Sequence, residues 1–125
     1  MSLITDIAIL TVAAAHLAFL WLEMFQWDKP LGMRIFGSTP EFAMASKTLA
    51  ANQGFYNGFL AAGLVWSVWP FGMEGDDRAI AIFFLICIII AGIYGAITVS
   101  RRILRVQALP AVIALALVLF TVPGG

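Results

Sequence analysis

The sequence predicts an all-α fold, an integral membrane four-helix bundle with its N and C termini on the outer side, and three observations carry that expectation. Hydrophobic residues make up 62% of the 125-residue chain and charged ones only 11%, with a mean hydropathy of +1.00. That leaves too little polar surface for a small soluble domain. Four windows, residues 3–27, 49–69, 79–100 and 107–122, approach the roughly 20 apolar residues that a spanning helix needs. They nearly fill the chain, so a single transmembrane domain over residues 1–125 is expected. The third observation is charge placement. Lys29, Arg34 and Lys47 lie between the first and second windows and Arg101, Arg102 and Arg105 between the third and fourth, while Arg78 stands alone between the second and third. Basic loops stay in the cytoplasm, which sends both termini outside.

The first window is read as a span rather than a cleaved leader, because residues 1–6 carry a negative charge where a leader wants basic residues. Within it His16, Glu23 and Trp27 follow at intervals of seven and four, which places them within about 40° of one another on a 3.6-residue repeat. One side of the first helix is therefore polar at depth. The loop over residues 28–47 is the longest and least regular. Asp28-Lys29-Pro30-Leu31-Gly32 reads as a turn, and Gly37-Ser38-Thr39-Pro40-Glu41 as the start of the next helix. Ser38 with Glu41 fits a capping box, and Pro40 suits a first turn, where its missing N–H costs nothing. The second helix is thus predicted to begin near Thr39, as a helical cytoplasmic extension with Phe36, Phe42 and Met44 available to the membrane interface.

The second helix is the most informative. Asn52 and Tyr56, and Gln53 and Asn57, are i,i+4 pairs that form two adjacent polar stripes. Ala50, Gly54, Gly58 and Ala62 form a ladder of small residues that permits close backbone approach. The Glu74, Asp76 and Asp77 turn reads as ordinary acidic surface. The third helix offers Ala91 with Gly95 and Gly92 with Ala96, then Tyr94 and Thr98 on its cytoplasmic half; its Cys87 has no second cysteine to pair with. The fourth has Gln107 at its entrance and Pro110 in its first turns.

Depth follows from the helical rise. With Trp27 and Lys47 as the cytoplasmic boundary, Glu23 lies about 6 Å deep, Asn52 and Gln53 about 8 Å, Tyr94 about 10 Å, Asn57 about 15 Å and His16 about 16 Å. Glu23 is then level with Asn52 and Gln53, and His16 with Asn57. The outer half holds Leu10, Phe59, Leu64, Phe83 and Phe84. The expectation is a polar pocket open towards the cytoplasm and sealed on the outer side by apolar packing.

Five stretches together carry a family resemblance: Glu23-Met24-Phe25-Gln26-Trp27, Phe36-Gly37-Ser38-Thr39-Pro40-Glu41-Phe42, Ala50-Ala51-Asn52-Gln53-Gly54-Phe55-Tyr56-Asn57-Gly58, Ala91-Gly92-Ile93-Tyr94-Gly95-Ala96 and Gln107-Ala108-Leu109-Pro110-Ala111. The chain resembles, over nearly its whole length, the DUF1304 family of small bacterial membrane proteins. That family is named for its unassigned function. The resemblance implies four membrane helices in the bacterial inner membrane and no catalytic residue to carry across.

Several chemistries are excluded. One histidine cannot build a His-rich metal site, and a spacing of seven between His16 and Glu23 is poor for two ligands of one ion. No serine lies within helical reach of His16, which removes a Ser-His-Asp arrangement. No nucleic-acid partner and no metal are expected, and no cofactor is identified. The expected partners are membrane lipid, a small hydrophobic ligand and a second copy of the chain.

Three functions stay open. The first is binding or transport of a small hydrophobic or amphipathic molecule by Asn52, Gln53, Tyr56, Asn57, Tyr94, His16 and Glu23. The second is a membrane-embedded enzyme acting on a lipid-like substrate, with His16 as acid or base and Glu23 as the other catalytic candidate. The third is a structural or regulatory partner docking through the small-residue ladders. His16 bonded to Asn57, and Glu23 paired with Arg101 or Arg102, are the packing alternatives for those two residues.

Overall fold

The computed structural model describes residues 1–68, 70–71 and 75–121, and every regular element among them is helical. In chain order these are α1 (Leu3–Phe25), α2 (Pro30–Phe36), α3 (Pro40–Trp66), α4 (Asp77–Thr98), a π-helical turn (Leu104–Ala108) and α5 (Leu109–Phe120). Trp69, Glu74 and Val122, which the sequence assigns to the ends of two windows and to the acidic turn, lie outside the described residues. By length and composition α1 and α4 can each cross a membrane. α3 is longer, but its asparagines, glutamine and tyrosine lower its apolarity. Internal contacts divide the chain into two compact units: Met1–Ala14 with Leu60–Gly125, and Ala15–Phe59.

In the first unit the buried core takes Ile9, Val12 and Ala13 from α1, Ala61 and Leu64 from α3, Ala81, Leu85 and Ile88 from α4, and Ala111, Ala114 and Val118 from α5. Their three- and four-residue intervals are the inward stripe of a helix. So many alanines let the backbones come close. Backbone meets backbone at Gly92 of α4, where a Cβ would lie 2.8 Å from the Cβ and 2.9 Å from the amide nitrogen of Ala108. Gly63 of α3 is covered by the ring of Phe84, which would have to shift to admit a Cβ there. At the other end of the unit, Arg78 donates from Nε to the Val118 carbonyl at 3.2 Å and from Nη2 to that of Leu119 at 3.3 Å. The last turn of a helix leaves carbonyls without N–H partners, and the one basic residue of the acidic turn supplies them. Leu64 is buried as expected, whereas Leu10, Phe59 and Phe83 face outward.

In the second unit, residues 15–25 of α1 run antiparallel to residues 40–59 of α3. Trp27 Nε1 donates to Ser46 Oγ at 3.0 Å, and Lys47 Nζ meets Asp28 Oδ2 at 3.0 Å, so Trp27 and Lys47 do stand level. Deeper in, Gly54 and Gly58 lie against Met24 and Leu20, where their Cβ atoms would come within 2.5 and 2.7 Å of side-chain carbons. Two of the small residues in the predicted ladder therefore serve to dock α3 on α1.

Two local readings are corrected. The segment read as a plain turn contains α2, which starts with Pro30 in its first turn and stops at Gly37, held at φ +65° in the left-handed region that glycine tolerates. The helix α3 starts at Pro40 as predicted, but its cap is one residue later than Ser38. Thr39 Oγ1 accepts the amide of Phe42 at 3.2 Å, while Ser38 Oγ is buried without a hydrogen-bond partner. The fourth window also begins differently, in the π-helical turn. There the Leu109 amide reaches back five residues to Leu104. Pro110 explains the wider turn: its ring would clash with the carbonyl four residues earlier in a regular α-helix.

Candidate functional site

The chemistry-bearing side chains sit on α1 and α3 of the second unit. Asn57 Nδ2 donates to Glu23 Oε1 at 2.6 Å, and the two residues are 6% and 7% exposed. Depth along the helix axes makes Asn57 level with His16, yet its partner is Glu23. The reason lies in side-chain direction. Every Cα–Cβ bond of a helix leans towards its N-terminus, so in an antiparallel pair Glu23 leans deeper and Asn57 leans shallower. The two converge across the offset that backbone rise alone gives them. His16 lies seven residues before Glu23, about 10 Å away along the axis. It is fully buried, with its ring edge-on to Phe19 at 5.2 Å between centroids.

The polar stripes of α3 separate. Asn57, with Ala50 and Gly54, faces α1, whereas Asn52, Gln53 and Tyr56 are exposed. On a repeat of about 100° per residue, Asn52 and Tyr56 fall nearly opposite Gly54. Tyr56 touches Phe59 edge-on at 6.2 Å. Tyr94 belongs to the other unit and is exposed on α4. The structure thus joins Glu23 to Asn57, buries His16, and leaves Asn52, Gln53, Tyr56 and Tyr94 exposed. Beside this contact Gly54 packs closely on Met24 and the Leu20 carbonyl, where an added Cβ would come within 2.5 Å and 3.3 Å of them.

At the end of this unit, Asp28 and Lys47 close the loop with an ion pair, and the hydrogen bond from Lys47 holds the Asp28 carboxyl below the ordinary carboxylate range. Trp27 packs against Phe36 of α2 with ring centroids 4.8 Å apart and planes tilted by 45°. Sequence reasoning named Trp27 on the polar side of the first helix and Lys47 among the basic loop residues, and used both as boundary markers, but paired neither. The flanking of one loop by Asp28 and Lys47 was the available signal that they are a latch. Glu23 is bonded to Asn57 on α3, within this same unit.

Cavities open among the described residues of the first unit. One, about 300 Å³, lies between Ile89 and Ile93 of α4, Leu104 and Arg105 of the π-helical turn, and Leu109 and Val112 of α5, with Ala108 also lining it. Another, about 470 Å³, is a shallow recess at Trp66, Asp76, Ile80 and Phe83. Neither includes the candidate residues of α1 and α3. Among the described residues no three His, Cys, Asp or Glu side chains converge on a point where an ion could sit.

These features define a class: a small, wholly helical protein, over the described residues, with two helices able by length and composition to cross a membrane. A family model described as a protein of unknown function, DUF1304, matches residues 10–119, and the chain belongs to that family. It is also similar to the uncharacterized protein YpaA of Lactococcus lactis subsp. lactis, with 31% identity over 117 residues that cover 92% of this chain and 96% of the relative. No solved structure matches it. All five stretches that carried the sequence resemblance fall inside the matched span.

Proposed function

We propose that this DUF1304 protein is a multi-pass protein of the bacterial inner membrane, a four-helix bundle with both termini outside. We propose further that it binds a small hydrophobic or amphipathic molecule on the cytoplasmic half of α3. The membrane reading is supported by what remains bare. The apolar windows of α1 and α4 are only 28% and 22% buried, and Leu3, Ile4, Phe83, Ile90 and Ile97 are each more than 60% exposed. A soluble protein does not present so continuous an apolar surface to water. The basic loops, six residues against the single Arg78, support the orientation.

The observation that carries the binding reading is the outward trio Asn52, Gln53 and Tyr56. Polar groups at membrane depth are costly when they face hydrocarbon. A molecule with one hydrogen-bonding end and an apolar body satisfies them, its body lying along Phe55 and Phe59. The inner Glu23 to Asn57 bond fixes the rotation of α3 and so keeps the trio turned outward. Binding is preferred to an acid or base role for His16 because that imidazole has no exposed surface. The test is native mass spectrometry with metabolite extraction on gently purified protein, comparing wild type with Asn52→Leu/Gln53→Leu. A discrete co-purifying molecule lost in the variant supports the reading. Bare protein in both samples overturns it and favours docking on another membrane protein.

A further inference from the structure

The 300 Å³ groove of the first unit is lined by apolar side chains and a single arginine. Ala108, one of its lining residues, packs on Gly92, where the absence of a side chain lets α4 and the π-helical turn meet backbone to backbone. Larger side chains rise on either side, Ile89 and Ile93 along α4 and Leu104, Leu109 and Val112 along the other wall. A furrow between them follows from that size difference. Its volume reaches the lower bound of ligand sites, about 300–1,000 Å³. From Leu104 to Val112 it runs about 12 Å at the helical rise, away from the loop that holds Arg101, Arg102 and Arg105.

Arg105 is the one charged residue lining the groove, and it sits at that basic end. No ion pair holds it among the described residues. We infer that the groove between α4, the π-helical turn and α5 is a binding site for an anionic phospholipid of the cytoplasmic leaflet, with Arg105 on the phosphate and one acyl chain along the Ile89, Ile93 and Val112 walls. The apolar lining suits a chain, and Arg105, whose aliphatic stem forms part of that lining, carries the charge that suits a negative head; arginine suits phosphate because its planar fork can donate two parallel hydrogen bonds. The π-helical turn contributes by widening the backbone where the head would enter, and such turns recur at functional sites. The inference rests on the membrane reading above.

The test uses full-length protein reconstituted in vesicles that contain equal phosphatidylglycerol and phosphatidylcholine, then released gently and weighed with its retained lipid. Wild type is expected to keep phosphatidylglycerol over phosphatidylcholine. Arg105→Gln should cut that preference on the order of tenfold, about 1.4 kcal/mol, while Arg101→Gln leaves it within about twofold. Leu109→Trp, which fills the groove from an exposed position, should abolish retention of either lipid while circular dichroism stays helical. Equal retention of the two lipids by wild type, or equal losses from Arg105→Gln and Arg101→Gln, overturns the site in favour of diffuse charge attraction. Flotation with the vesicles is read separately. Protein that does not float refutes the membrane reading itself, and protein that floats without discriminating refutes only the groove.

Discussion

The Glu23 to Asn57 bond is the residue-scale feature on which the α1 and α3 pairing turns. An acceptor left buried without its donor costs about 1–3 kcal/mol, so Asn57→Leu is expected to lower stability by that amount in thermal melts. Glu23→Gln keeps its volume and an oxygen for the Asn57 amide and should cost clearly less; a loss equal to that of Asn57→Leu would show that the carboxylate charge, not this hydrogen bond, is what matters. The Asp28 and Lys47 latch makes a pH prediction. The Asp28 carboxyl is held below its ordinary range by Lys47, so the latch contributes its stability above that range and loses it as pH falls through the lowered value. Lys47→Met should remove this acid-side dependence from the melting profile. At this scale the sequence marked Glu23, Asn57 and His16 correctly as unusual but matched the wrong two. Axial rise was legible; the opposite lean of side chains on antiparallel helices was left out of the depth estimate.

At the scale of elements, the small residues decide how closely helices pack. Gly92→Leu would drive a side chain into Ala108, and overpacking of this kind costs about 1–3 kcal/mol. Chemical denaturation should register that loss, whereas Ala91→Leu, on the exposed face of the same helix, should be near neutral. α3 was legible from its Thr39-Pro40 start, and α1 and α4 from apolar runs that no loop could hold. α2 was not, because seven residues are too few to display a helical period, and its only signals were Pro30 at the start and Gly37 after the end. The π-helical turn was hidden for another reason. Pro110 announces a disturbance in a helix but not whether the chain answers with a kink, a break or a wider turn.

Over the whole molecule, composition spoke most clearly. Helical class and family membership could be read from the apolar windows and the Asn52-Gln53-Gly54-Phe55-Tyr56-Asn57 stretch, since both depend on residue order alone. Which side of α3 each polar residue occupies depends on where α1 lies, and no periodicity within one helix supplies that. The central claim is that the chain crosses the inner membrane with its basic loops inside. It is tested most directly by labelling single cysteines in a Cys87→Ser background with a membrane-impermeant maleimide, at Asp76→Cys in the acidic turn and at Glu41→Cys and Ser100→Cys in the basic loops. The account predicts labelling of Asp76→Cys on intact spheroplasts, and of the other two only after the membrane is opened. Equal labelling of all three before opening would contradict it.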